Sequence, residues 1–172
     1  MTHKIPNILF AIADDASHFG AYGHKFVDTP NFDRIAFEGI LFNNAFTPNP
    51  KCAPSRACIL TGRQPWQLGS ACNHMSVFPS EFSVYPDILE ANGYHVGFTG
   101  KGWAPGDFLS GGFTRNPAGN EYNSLRLDPP QDTLINRCDY AGNFEVFLRT
   151  KPADRPFCFW YGSHEPHRRY QP

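Results

Sequence analysis

The stretch IPNILFAIADD, residues 5–15, is an apolar run about as long as one strand, and it ends in two aspartates. A run that is apolar at nearly every position is typical of a parallel-sheet strand with both faces covered. In open parallel sheets, ligands bind beyond the carboxyl ends of the strands. We therefore expect Asp14 and Asp15 at the functional edge of a central strand.

Helical and strand patterns alternate along the rest of the chain. The segment TPNFDRIAFEG begins with Thr29 as N-cap and Pro30 at the first helical position, and it ends at Gly39. Further strands are predicted at about 40–46, 94–101 and 156–167, and further helices at 86–91 and 139–151. This alternation predicts an α/β fold with a mostly parallel sheet. The Gly-, Pro- and Asn-rich segment 103–132 is predicted to be a long loop of the kind that borders binding sites.

Length and composition limit the classes of function. A chain of 172 residues is the size of one domain, and its net charge of −1 argues against a nucleic-acid partner. The five cysteines include no CxxC pair, so neither a zinc site nor a full disulfide framework is expected. The N-terminal apolar run is too short for a signal peptide or a membrane span. We expect no membrane partner and cytoplasmic residence by default, or periplasmic or secreted residence if a leader has been removed.

The segment NPKCAPSRACILTGR, residues 49–63, holds the most distinctive cysteine. Cys52 is a candidate for a structural cysteine, a metal ligand, a nucleophile or the precursor of another group. Cys58 and Cys158 lie in apolar surroundings and fit the structural reading. Pro54 is suited to opening a helix whose dipole favours an anion near Cys52, and Arg56 adds a cationic fork.

Other residues that could carry chemistry follow predicted strands. Asp14 and Asp15 are either a solvated turn or part of a site for a hard cation such as Ca²⁺ or Mg²⁺. Lys101 and His164 also lie at strand ends, where each taken singly would be an ordinary surface residue. Because strand ends meet at one edge of a parallel sheet, we expect these residues to lie together.

The segment CAPSRACILTG, residues 52–62, resembles the signature of type I sulfatases, in which Cys-x-Pro-Ser-Arg precedes a Leu-Thr-Gly turn. ILFAIADD upstream and GYHVGFTGK downstream stand in the order of that family. NAFT before the cysteine and HEPHR near the end are similar to the heparan N-sulfatase (sulfamidase) branch. The resemblance implies an alkaline-phosphatase-like α/β sandwich with a mostly parallel central sheet.

The resemblance also implies a mechanism. A separate maturation enzyme would convert Cys52 to formylglycine, whose hydrate attacks sulfur, and Asp14, Asp15 and residue 52 would hold Ca²⁺. Arg56 would stabilise the formylglycine oxygens, and Lys101 would neutralise charge on the sulfate. His164 would contact the sulfate or protonate the leaving group. The expected substrate is a sulfated small molecule or glycan.

The sequence departs from the family pattern in two ways. Family members carry a histidine two residues after the lysine, where this chain has Trp103; His18, His95 and His167 are nominal substitutes, and His74 is a candidate for pocket lining. Family members also continue past this point and supply further metal ligands. We therefore expect residues 1–172 to be the N-terminal part of a sulfatase catalytic domain, with little or no activity alone.

The leading hypothesis is hydrolysis of a sulfate ester or N-sulfate on a sugar. The alternatives are a truncated, non-catalytic remnant that binds anions or a partner, a phosphonate or phosphodiester hydrolase of the same superfamily, and a hydrolase using the unmodified thiol. An incomplete sheet would expose an edge, and a homo-oligomer is one way to cover it.

Overall fold

The computed structural model describes residues 5–168. The main elements are β1 (Ile8–Asp14), α1 (Pro30–Glu38), α2 (Cys52–Thr61), β2 (Ser76–Val77), α3 (Tyr85–Ala91), β3 (His95–Gly100), β4 (Gly106–Asp107), β5 (Asn120–Glu121), α4 (Tyr140–Thr150) and β6 (Phe157–Pro166). Short 3₁₀ turns lie at Gly20–Tyr22, Pro65–Gln67 and Gly69–Cys72. No helix within residues 5–168 is long and apolar enough to cross a bilayer.

A four-stranded parallel sheet organises the fold. Its strand order is β1-β6-β3-β5, and β2 and β4 form a separate small parallel pair. The last long strand of the described chain, β6, therefore lies between β1 and β3, with Phe10 opposite Trp160 and Trp160 opposite Phe98. The predicted parallel α/β architecture is confirmed, and all three long strands point their carboxyl ends to one edge.

Each face of the sheet packs a different set of side chains. On one side, α2 contributes Ala53, Ala57 and Leu60 to a buried cluster that includes Trp103 and Trp160. On the other side, α4 packs Phe147 against Phe159 of β6, with ring centroids 4.4 Å apart. Gly97 of β3 makes this contact possible, since a Cβ there would lie 3.0 Å from the Phe147 ring. The sheet is thereby held between two layers.

Local signals set the helix ends where the sequence predicted them. Pro30 is the first residue of α1, Thr29 is its N-cap, and the chain leaves the helix at Gly39. The Asp139 carboxylate caps α4 by accepting from the Gly142 amide at 2.9 Å. Residues 103–132 are largely irregular, as predicted, and contain only the short strands β4 and β5.

The predicted strand at residues 40–46 is wrong. This segment is irregular, and Ile40, Phe42 and Phe46 are exposed, Phe46 to 88%. It pairs with no strand of the described sheet, although the outer edge of β1 is unpaired there. A hydrogen bond from the Tyr22 hydroxyl to the Phe42 carbonyl, 2.8 Å long, instead joins the segment to the first 3₁₀ turn.

The expectation that β1 is central and covered on both faces is also wrong for the described chain. β1 is an edge strand, and its burial alternates, so that Leu9 is 52% exposed while Phe10 and Ile12 pack on the core. Among the described elements, α4 lies over β3 and β6, and α1 packs on the first 3₁₀ turn. Neither helix covers the outer face of β1.

Candidate active site

Three strand ends bring the predicted residues together. Asp14 is the last residue of β1, Lys101 directly follows β3, and His164 lies near the end of β6. β6 pairs with both other strands, so its position fixes the separation of all three ends. The topological prediction of a single cluster at this edge is confirmed for Asp14 and Lys101, which form an ion pair.

Asp14 is the centre of the cluster. Its carboxylate is 6% exposed and accepts from Lys101 Nζ, from Arg56 Nη2 at 3.4 Å and from Cys52 Sγ at 3.9 Å. Burial by itself would raise the pKa of Asp14, but the hydrogen bond and charge of Lys101, with help from Arg56 and Cys52, lower it below its ordinary value. Asp14 is therefore a carboxylate at neutral pH.

Helix α2 places both residues of the cysteine motif. The helix begins at Cys52, two residues before Pro54, and Lys51 is its N-cap. Proline is tolerated there because the first-turn amides have no acceptor within the helix. One turn further on, Arg56 is 2% exposed and donates from Nη1 to the carbonyls of Lys101 at 2.6 Å and Gly102 at 3.0 Å. Arg56 thus joins the helix to the Lys101 turn and also faces Asp14.

The Lys101 backbone is held from the β6 side. Its amide donates to the Gly162 carbonyl at 2.8 Å, and its own carbonyl accepts from Trp160 Nε1 at 3.0 Å. Residue 162 must be glycine for this approach, because a Cβ there would lie 2.2 Å from the Lys101 carbonyl oxygen. The Asn123 side chain adds a further bond, accepting from the Gly100 amide at 2.6 Å. The lysine therefore projects from a tightly fixed turn.

A second carboxylate and an imidazole complete the cluster. Asp15 has a φ of 60° and is exposed, and its Oδ2 lies 3.7 Å from His167 Nε2. Single ligand atoms of Asp14, Cys52 and His167 all lie within 4.8 Å of one another. The sequence named His167 only as a nominal substitute for a missing histidine, and the structure places it beside Cys52.

His164 is positioned through a network that the sequence did not predict. Its backbone amide donates to the Tyr140 hydroxyl at 3.0 Å, and this hydroxyl donates to Glu165 Oε2 at 2.7 Å. Glu165 Oε1 accepts from the Asn136 amide at 2.6 Å. Burial, and next the charge of Lys101, lower the pKa of His164 against the opposing effect of Glu165 and Asp14. Its imidazole is therefore neutral at pH 7.

Two cavities meet at Asp14. The larger, about 1190 Å³, is lined by Lys101 and His164, whereas the smaller, about 410 Å³, is lined by Cys52 and Arg56. Asp14 lines both. The predicted residues thus surround one carboxylate but face it from two sides.

The remaining candidate histidines lie elsewhere. His95 begins β3, at the opposite end from Lys101, and stacks on Phe147. His18 contacts the ring of His24. His74 lines neither of the two cavities at Asp14.

Comparison with known proteins identifies the family. The sulfatase family model matches residues 6–172. The chain belongs to the sulfatase family. Similar proteins include the N-acetylglucosamine-6-O-sulfatase of Bacteroides thetaiotaomicron, 31% identical over 98% of this chain and 32% of that protein. The ulvan-active sulfatase of Formosa agariphila is 33% identical over 96% of this chain and 31% of its own length. This sulfatase chain therefore spans about a third of the length of these curated relatives.

Solved structures show the same fold. A protein in complex with its substrate D-glucosamine-2-N,6-O-disulfate superposes with a TM-score of 0.76 and 27% identity, over 98% of this chain and 36% of that one. The phosphonate monoester hydrolase of Agrobacterium radiobacter superposes with a TM-score of 0.68 at 18% identity, over 95% of this chain and 42% of that one, a likeness of fold alone. The alkaline-phosphatase-like fold predicted for this sulfatase chain is thus confirmed.

Proposed function

We propose that this chain carries the sulfate-binding part of an active site that hydrolyses a sulfate ester or N-sulfate of a sugar. The convergence of Cys52, Arg56 and Lys101 on Asp14, in a chain of the sulfatase family, is the observation that carries the proposal. The sugar class is supported by relatives described as acting on N-acetylglucosamine 6-O-sulfate or on ulvan. Resemblance to the heparan N-sulfatase branch stays a prediction.

Residue 52 is the proposed reacting position. Cys52 is the first residue of α2, is half-buried, and lines a cavity that also reaches Asp14 and Asp15. Oxidation of this thiol by a maturation enzyme would give formylglycine, whose hydrate supplies the hydroxyl that attacks sulfur. The amide groups of the first turn of α2 favour negative charge at this place.

Lys101 and His164 are proposed to bind the sulfate from the larger cavity. The Lys101 ammonium group carries a charge that complements the sulfate oxygens. His164 is neutral at pH 7 because its pKa is lowered, so its ring N–H donates a hydrogen bond to sulfate or leaving-group oxygen without adding charge. Protonation of the leaving group by His164 would then be favoured at lower pH.

The residues around Asp14 fit a hard cation such as Ca²⁺. Asp14 offers a carboxylate oxygen within 4.8 Å of the Cys52 sulfur, and Asp15 lines the same cavity. Oxidation of Cys52 would exchange its soft sulfur for oxygen, which Ca²⁺ prefers. Such a cation, when bound, polarises a sulfate oxygen. Lys101 and Arg56 keep the Asp14 side chain ionised and fixed in position.

A calcium titration tests the cation site. We expect Ca²⁺ to raise the melting temperature of the matured chain, because a ligand that binds only the folded state stabilises it. Asp15→Asn is the matched variant, since asparagine also tolerates the positive φ at this position. An equal rise in both proteins would contradict the assignment of Asp15 as a ligand.

The function itself is tested with chain produced together with a formylglycine-forming maturation enzyme. Mass spectrometry of the peptide that contains Cys52 should show conversion of thiol to aldehyde. The matured chain should bind N-acetylglucosamine 6-O-sulfate in calorimetry, and Lys101→Ala should weaken that binding. An intact thiol together with no sugar binding would overturn the proposal. Turnover by the 172-residue chain would overturn the separate expectation of little or no activity.

A further inference from the structure

The larger cavity extends well beyond the groups that would bind one sulfate. It measures about 1190 Å³, just above the usual range for small-molecule sites. Lys101, His164 and residues 133–137 all line it. A sugar whose sulfate lies at Lys101 therefore shares this cavity with the 133–137 segment.

This segment is fixed relative to His164. Glu165, the next residue along β6, accepts from the Asn136 amide at 2.6 Å and from the Tyr140 hydroxyl at 2.7 Å. The Leu127 amide donates to the Arg137 carbonyl at 2.7 Å, which joins the segment to the preceding loop. These bonds hold the Arg137 backbone in place at the cavity wall.

Basic side chains outnumber acidic ones in the lining of the cavity. Its acids are Asp14 and Glu165, and both already accept hydrogen bonds from protein donors. Its cationic or imidazole groups are Lys101, Arg137, Arg168, His164 and His167. A ligand with more than one negative charge would complement this wall.

Arg137 is the group best placed to receive a second anion. Its side chain is 65% exposed, and its guanidinium pairs with Asp128, whose side chain is 89% exposed. Its Nε donates to the Leu127 carbonyl at a long 3.3 Å. Exposed ion pairs of this kind contribute little, so a ligand anion can replace Asp128 at small cost. The planar fork of arginine matches the paired oxygens of a sulfate.

We propose that Arg137 forms a second sulfate subsite, so that this site prefers sugars that carry two sulfate groups. This inference rests on the proposed function, since it places the first sulfate at Lys101 and His164. The second sulfate sits against the 133–137 segment of the cavity wall, where Arg137 binds it through two parallel N–H donors.

Calorimetry with two sugars tests the subsite on the full 172-residue chain. The probes are N-acetyl-D-glucosamine 6-O-sulfate, with one sulfate, and D-glucosamine-2-N,6-O-disulfate, with two. We expect the unaltered chain to bind the disulfate about tenfold more tightly. Arg137→Ala should remove most of this preference while leaving affinity for the monosulfate within about twofold. Asp128→Asn, which frees the guanidinium, should keep or increase the preference.

Matched controls separate the subsite from general effects. Arg149→Ala removes an exposed arginine that pairs with Glu145 on α4 and lies outside the cavity lining, and it should leave both affinities unchanged. If Arg137→Ala does not fold, Arg137→Lys takes its place in the test. This variant keeps the charge and should show an intermediate preference for the disulfate. Equal binding of the two sugars by the unaltered chain, with binding still dependent on Lys101, would overturn the subsite and leave the proposed function standing. Failure to bind either sugar would overturn both.

Discussion

The ion pair between Lys101 and Asp14 should contribute measurably to the stability of the fold. The two side chains are 11% and 7% exposed, so neither charge is well hydrated. Lys101→Met keeps most of the aliphatic stem and removes the charge. Asp14 would then retain Arg56 at 3.4 Å as its cationic partner. The variant should therefore be less stable than the unaltered chain. The loss of stability should be smaller than it would be if Lys101 were the sole cationic partner of Asp14.

Removing one partner of a buried pair typically costs 3–5 kcal/mol, and because Arg56 remains we expect about 2 kcal/mol at pH 7. For a chain of this size that corresponds to a fall in melting temperature of about 4–8 °C. The measurement is thermal and urea unfolding in buffer that contains a chelator, because a divalent cation would take the place of the lost charge. Lys25→Met, at an exposed position, is the control and should change stability little.

The pH dependence of the stability difference between the unaltered chain and Lys101→Met gives the sharper test. The folded pKa of Asp14 lies below its ordinary value of 3.8, so its stabilising effect is present above that pH and is lost as pH falls through the folded pKa. Without Lys101 the pKa of Asp14 in the folded state rises. The stability difference between the unaltered chain and the variant should therefore be full above about pH 5 and small near about pH 2. A difference that is the same at both pH values would show that lost packing, not lost charge, destabilises the variant, and would refute this reasoning.

Three further predictions concern the framework of the site. Phe147→Ala should lower the free energy of unfolding by about 3–4 kcal/mol because the ring is fully buried between β3 and β6, whereas Leu148→Ala, partly exposed on the same helix, should cost much less in the same urea titration. Asn143→Ala should cost about 2 kcal/mol and speed amide exchange at Leu125, whose N–H and C=O both bond the Asn143 side chain; unchanged exchange would contradict this role. Tyr140→Phe should cost about 1–2 kcal/mol in thermal unfolding, since the hydroxyl joins a β6 amide to the Glu165 carboxylate; no loss would show that water replaces it.

Local signals in the sequence predicted the elements that depend on local interactions. Thr29, Pro30 and Gly39 bound α1, and Asp139 caps α4, because these residues act on their own helix ends. The strand at residues 40–46 was predicted from composition alone and is wrong. Composition does not determine whether a segment pairs, and residues 40–46 are irregular although β1 leaves its outer edge unpaired in the described sheet.

The sequence predicts the part of the site that lies at the ends of the parallel strands. Residues that follow parallel strands meet at one edge of the sheet, so the sequence alone predicts that Asp14, Lys101 and His164 lie together. The contacts of Glu165 and the position of Arg137 could not be predicted, because they depend on the conformation of an irregular segment without periodicity. The only signal was the unusual length of the loop that precedes them.

Trp103 shows how sequence and structure combine at the position where the family carries a histidine. Its indole is 1% exposed and donates to the Ala53 carbonyl at 3.0 Å, so the side chain packs against the first turn of the helix that begins at Cys52. The residue two places after Lys101 therefore contacts the backbone of the residue that follows Cys52. In this chain that place is filled by an indole bonded to the helix. The imidazole within reach of Cys52 is instead that of His167, which approaches from the end of β6.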